Sequence, residues 1–282
     1  MPDVMAVTRA ELFKLVRRPA MWALLAAAVV LQEIFSYLIP YISYVSGGGP
    51  AKGVKPPQYL VSTLPAQLVD NTISGFPVFI GALAVVFGAL MFGGEYGWNT
   101  VKTQLTQRPT RLVVLAGQLV ALAASVLVSV VVLLAVGAVT STAIAAGQGR
   151  AMNWPWFGVI VAGVGAGWLV LMTWAALGAV MGVAMRGVAL PIGLGVVWVL
   201  GIENLIAAMA DSVLTGLQPL RDVLPGSSSG SLVFAAMPPR TLPPPPGVAS
   251  SVSGTQALAT LVGYVAVAMV ITAWMTRRRD VV

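Results

Sequence analysis

Long apolar runs separated by short polar breaks dominate the chain. A helix needs about 20 apolar residues to cross the roughly 30 Å hydrocarbon layer. Six runs meet that measure, at about 20–45, 76–94, 112–146, 154–185, 188–210 and 255–276. The third is longer than a crossing requires, so it tilts or projects beyond the lipid. Gly147 to Asn153 is short enough to make the third and fourth runs an antiparallel hairpin, and Arg186-Gly187 is a tight turn into the fifth. The stretch Tyr59 to Ser74 is only moderately apolar and holds Pro65, Asp70 and Asn71, which predicts an interfacial helix or loop rather than a crossing. The two largest breaks are 46–75 and 211–253. The second carries Pro225-Gly226-Ser227-Ser228-Ser229-Gly230 and the proline run 243–246, a composition that predicts an irregular, locally extended loop.

Residues 1–18 precede the first run. On a helical wheel Val4, Met5, Leu12, Phe13, Leu15 and Val16 share one broad arc. Glu11, Lys14, Arg17 and Arg18 share the other, with Arg9 intruding on the apolar side. The pattern predicts an amphipathic helix in the membrane surface. Pro19 suits the start of the next helix, and Pro40 is placed to kink or end its lipid-embedded part. Arg17-Arg18 before an apolar run also resembles a signal-peptide start. The run continues past Ile39 without a clear small-residue cleavage site, which favours a retained span.

Composition agrees. The 282 residues are 58% hydrophobic and 9% charged, with a mean hydropathy of +0.90. Soluble domains carry about 25% charged residues; lipid must therefore cover much of this surface. The net charge of +7 does not mark a nucleic-acid binder, because the basic residues sit at the ends of apolar runs and form no stripe. With the N-terminus inside, the inner segments hold eleven Lys and Arg and the longer outer segments five. That contrast places both termini, and the tail 277–282, in the cytoplasm. The expected fold is an all-α integral membrane protein with six transmembrane helices.

The chain has no Cys and no His, which excludes thiolate, zinc–thiolate and imidazole chemistry. No G-x-x-x-x-G-K-[ST] phosphate loop occurs either; Gly47 to Gly53 has the wrong spacing and lies on the outer side. Two acids fall within spans, where charge is expensive and often functional. Glu33 and Glu203 both lie in the outer half of the membrane by residue count, with Gln32, Asn204 and Gln118 as polar neighbours. Either they line a shared outward-facing cavity for a cationic or amphipathic substrate, or each reaches water or a local partner. Tyr37, Tyr41, Tyr44, Trp154, Trp156 and Trp274 suit an interfacial belt, while Trp168, Trp174 and Trp198 lie deeper. The pairs Gly163/Gly167 and Gly178/Gly182 have the spacing that lets helices approach closely, either within the chain or against a second copy.

The most informative polar segment is 95–111, between the second and third spans. Asn99 is placed to cap a short helix from Thr100 to Gln107, Arg108 falls at its C-terminal end and Pro109 ends it. Glu95, Gly97, Thr100, Leu105, Arg108, Pro109 and Arg111 resemble the pattern of type-2 ABC-transporter permeases; Trp98-Asn99 is an insertion relative to it. The start, Arg9 to Pro19, resembles that family's elbow helix, and the six-span layout agrees.

The resemblance implies an ATP-driven exporter. In such proteins the segment after the second span is a coupling helix seated in the ATPase subunit. It assigns docking to Glu95, Gly97, Thr100, Lys102, Leu105, Arg108, Pro109 and Arg111, with Arg186 in a second, smaller contact. It further implies an ATP-binding partner that holds ATP and magnesium, no cofactor in this chain, and a second permease subunit, identical or not. Drugs, antibiotics, lipids and peptides remain open as cargo. The competing readings are an ATPase-independent carrier and a non-transporting anchor, immunity factor or sensor.

Overall fold

In a computed structural model, residues 2–97, 110–212, 214–237 and 242–278 are described, and every regular element among them is helical. Among the described residues six helices are long and apolar enough to cross a membrane: Pro19–Val45, Pro65–Gly94, Arg111–Gly147, Phe157–Met185, Ala189–Ala210 and Gly254–Arg277. The third, at 37 residues, is about 55 Å long at 1.5 Å per residue, so it projects beyond the hydrocarbon layer.

The second and fourth spans form the core. About two-thirds of each apolar stretch is buried inside the protein (67% and 61%), against 17–28% in the other four, whose apolar faces are left for lipid. Glycine explains the pairing. A Cβ on Gly88 would overlap the Ala175 carbonyl, and one on Gly178 would overlap that of Val85. Gly182 sits on Gly93, while Gly163 and Gly167 receive Val69, Ile73 and Phe76. Both sequence pairs of small residues are thus used within the chain, as backbone-on-backbone contact that larger side chains would prevent. Trp174, fully buried, fills the space beside this seam. Trp168 Nε1 donates to the Ala123 carbonyl at 3.0 Å and ties the third span to the fourth.

Three spans carry wide π-turns, at Glu33–Leu38, Phe76–Ile80 and Trp198–Ile202. Pro40 explains the first: a mid-helix proline lacks an N–H and clashes with the carbonyl four residues back, and the extra residue of the wide turn absorbs the misfit. The helix therefore continues through Pro40 to Val45 instead of ending there.

Two differences from the sequence reading have physical causes. The helical run into the second span begins at Pro65, with a turn at Ser74-Gly75, rather than at Phe76. Asn71 Nδ2 donates to the Ser62 carbonyl, and Ser36 Oγ donates to the Asn71 carbonyl. With these polar groups satisfied locally, fully buried Val69 and Ile73 pack inward. The second difference is 211–253, expected to be irregular. It contains the helices Gln218–Val223 and Pro225–Ala236. Pro225–Ala236 packs against the fourth and sixth spans with Ser228 and Ser229 fully buried. Its Gly and Ser content reads as a loop signal, yet small side chains are what let a helix be buried this closely.

The N-terminal helix Pro2–Arg17 lies on the start of the third span. Thr8 Oγ1 donates to the Gly117 carbonyl at 3.3 Å, and Val7 fills the space that a side chain on Gly117 would need. Glu11, read from the wheel as solvent-facing, is 5% exposed and bonds Lys14 Nζ at 2.6 Å. Met5, Phe13 and Val16 are exposed, together with Arg9 and Arg17. Packing has rotated the helix so that one side, with Glu11 and Leu15, meets the protein and the other leaves apolar residues exposed between Arg9 and Arg17.

Candidate functional site

Two regions bear on function: the end of the bundle that holds the 95–111 connector, and the polar groups within the spans.

At the connector, the second span's helix continues through Glu95 to Gly97. Residues 98–109 lie outside the described residues, so the predicted docking positions Thr100, Lys102, Leu105, Arg108 and Pro109 and the expected Thr100–Gln107 helix fall there. Arg111 is the first residue of the third span, with Thr110 extended at its N-cap position. Arg18 reaches toward Gly94, so the hinge between the N-terminal helix and first span meets the end of the second. Arg186 ends the fourth span with a left-handed φ of 50° and is exposed. The fold thus gathers the N-terminal helix and both ends of the connector.

Within the spans the predicted pathway residues separate into two places. Gln32 Nε2 donates to the Leu133 carbonyl at 2.9 Å, and Thr140 Oγ1 donates to Glu33 Oε2 at 2.8 Å, so this pair faces the third span. Gly137 lies between them; a Cβ there would come within 2.8 Å of the Tyr37 hydroxyl and 3.2 Å of Gln32 Nε2. Gln32, but not Glu33, also lines a cavity of about 250 Å3 with Asp70, Asn71, Phe35, Phe79 and prolines 243, 245 and 246. Phe35 and Phe79 stack there at 5.3 Å between ring centres.

Glu203 and Asn204 line a different cavity, of about 140 Å3, with Pro77, Val78, Val199, Ala207, Gly226, Ser227, Gly247, Ala249 and Ser251. Glu203 is 5% exposed. Its Oε1 accepts a hydrogen bond from Trp198 Nε1 at 3.1 Å, and the Gly226 backbone N–H also donates to it. The structure brings Glu33 to Thr140 and Glu203 to Gly226; the two acids share neither cavity.

Sequence reasoning missed Trp198 and Gly226 as partners of Glu203, and Ser227 as a residue of the same cavity. Trp198 and Glu203 are five residues apart, a spacing that only the π-turn between them brings onto one face. Gly226 is distant in sequence and carries no local signal.

The sequence from residue 5 to 281 matches the family described as ABC-2 family transporter protein. The chain belongs to the ABC-2 transporter family. No curated protein matches it. As an ABC-2 family protein it is a multi-pass membrane protein and a permease component of an ABC transporter, a subunit class without ATPase motifs of its own. Membership implies association with an ATP-binding cassette subunit. The resemblance carried by Glu95 to Arg111 and by the N-terminal segment thus agrees with a match that spans nearly all the chain.

Proposed function

We propose that this protein is the membrane-spanning half of an ATP-driven exporter in the plasma membrane, moving a hydrophobic or amphipathic substrate outward. The observation that carries the reading is the family match over residues 5–281. Both termini face the cytoplasm, as the excess of Lys and Arg on that side supports. Pro2–Arg17 serves as the elbow helix, its exposed Met5, Phe13 and Val16 meeting the lipid headgroup boundary. Residues 95–111 serve as the coupling segment, with Arg186 adding the smaller contact. A short connector between two spans transmits force because its ends are held: Glu95–Gly97 continue one span and Arg111 begins the next.

Two permease chains, with two ATP-binding subunits below them, would enclose the pathway. ATP and magnesium belong to the partner. ATP binding closes the ATPases, the connector moves, and the helices attached to it reorient the cavity between them.

The test is co-purification with the ATP-binding subunit and measurement of ATP hydrolysis and outward transport in vesicles. Replacing Thr100, Leu105 and Arg108 together with Ala should leave the permease in the membrane, release the ATPase and abolish transport. Transport driven by an ion gradient without ATP would overturn the reading.

A further inference from the structure

We propose that the cavity at Glu203 binds the positively charged amine headgroup of an amphiphile. The role of this site in cargo recognition rests on the transporter reading; the binding itself does not.

Among the described residues, Glu203 is a buried acid without a cationic neighbour. Glu203 is 5% exposed within a span, and among the described residues no Lys or Arg lines its cavity. Among the described residues it forms no ion pair. Trp198 and the Gly226 N–H donate hydrogen bonds, and the N-terminal end of helix Pro225–Ala236 adds a favourable dipole worth about half a charge. These hold a carboxylate in place without neutralising it. A carboxyl group buried in a low-dielectric setting either takes up a proton or draws in a cation, and the two N–H donors aimed at Glu203 favour the ionised form that a cation completes.

The cavity is built to receive one. Asn204 lines it, yet its Nδ2 turns back to the Val199 and Leu200 carbonyls at 2.8 and 3.3 Å. The Asn204 donors are occupied, and Oδ1 is left as an acceptor. Ser227 and Ser251 add hydroxyls. Pro77, Val78, Val199 and Ala207 form an apolar wall. A lining that combines acceptor oxygens with hydrocarbon suits an ammonium group carried on methylenes. At about 140 Å3 the space falls below the roughly 300–1,000 Å3 of a drug-sized pocket, so it takes a headgroup and not a whole molecule. The amine belongs either to free cargo or to a phosphatidylethanolamine headgroup; the chemistry is shared.

The experiment is equilibrium dialysis of labelled hexylammonium, with hexanol as the neutral counterpart, against the full chain in phosphatidylglycerol nanodiscs. These lipids have no amine. Saturable hexylammonium binding, at one per chain and absent for hexanol, is expected. Glu203→Gln keeps the shape and one acceptor while removing the charge, and should weaken binding about tenfold to a hundredfold, the scale of one charge-assisted hydrogen bond. Ala207→Leu fills the cavity from the next turn of the helix that carries Glu203, without altering the carboxylate, and should abolish binding even if the Gln variant folds poorly. Weaker apparent binding in phosphatidylethanolamine nanodiscs, seen in the native chain and lost in Glu203→Gln, assigns the site to the lipid headgroup; no change assigns it to free amine. Equal binding by hexanol, or unchanged affinity in both variants, overturns the proposal. The assay needs no ATPase, so absence of an ATP-binding partner would defeat the transport reading alone.

Discussion

Replacing Gly178 with Ala tests the seam between the second and fourth spans. The added Cβ would stand 2.9 Å from the Val85 carbonyl carbon and 3.0 Å from its Cα, and closer still to the carbonyl oxygen. Ordinary contact begins near 3.4 Å; the carbonyl oxygen, the nearest atom, sets the requirement, and the two backbones must separate by roughly 1 Å. A gap of that size forfeits up to about half of each dispersion contact along the seam. Neither helix can yield freely, because Gly88 on the facing span is as tightly seated against Ala175 and Ala179. The expected cost is the usual 1–3 kcal/mol of overpacking. Gly165→Ala is the matched control: it lies in the same helix, with nothing within 4 Å of an added Cβ. Thermal unfolding of the detergent-solubilised protein, read by circular dichroism and by loss of the monodisperse peak, should show a clearly lower midpoint for Gly178→Ala and no loss for Gly165→Ala. Equal midpoints for the two variants would refute the claim that backbone contact at this seam organises the fold.

Trp168→Phe removes the indole donor to the Ala123 carbonyl and should cost about 0.6–1.5 kcal/mol, measured by the same unfolding assay. Arg186→Gly relieves a left-handed backbone and should leave the fold as stable or up to about 1 kcal/mol more stable. On the proposed reading it should nonetheless reduce ATPase-coupled transport; a loss of stability would show that the Arg side chain holds the turn. The chain contains no natural cysteine, so single cysteines report topology cleanly. A membrane-impermeant maleimide should label Lys52→Cys from outside intact cells and leave Lys102→Cys unlabelled until the membrane is permeabilised. The reverse pattern would invert the topology and remove the docking surface.

The apolar runs were sufficient to show six crossings, because a bilayer demands a length and a hydropathy that short-range sequence states openly. The scarcity of charge and the pattern around Glu95 to Arg111 pointed to the family for the same local reason. What fills each interface was not legible. Small-residue spacing at Gly163/Gly167 and Gly178/Gly182 announced close contact without saying with what; only the fold shows that Val69, Phe76 and Val85 meet them. Glu11 was placed on the wrong face because a wheel knows the helix's own pattern and not the third span against which it rotates. The Gly-Ser run at 226–230 read as a loop, since burial by distant helices leaves no periodic mark. Glu203 shows the division most clearly. Its depth in a span was visible along the chain, but its bond to Trp198 depends on a π-turn and its bond to Gly226 on a helix from another segment. Membrane insertion is a sum over neighbouring residues; a binding cavity is a coincidence of distant ones, which the tertiary structure alone decides.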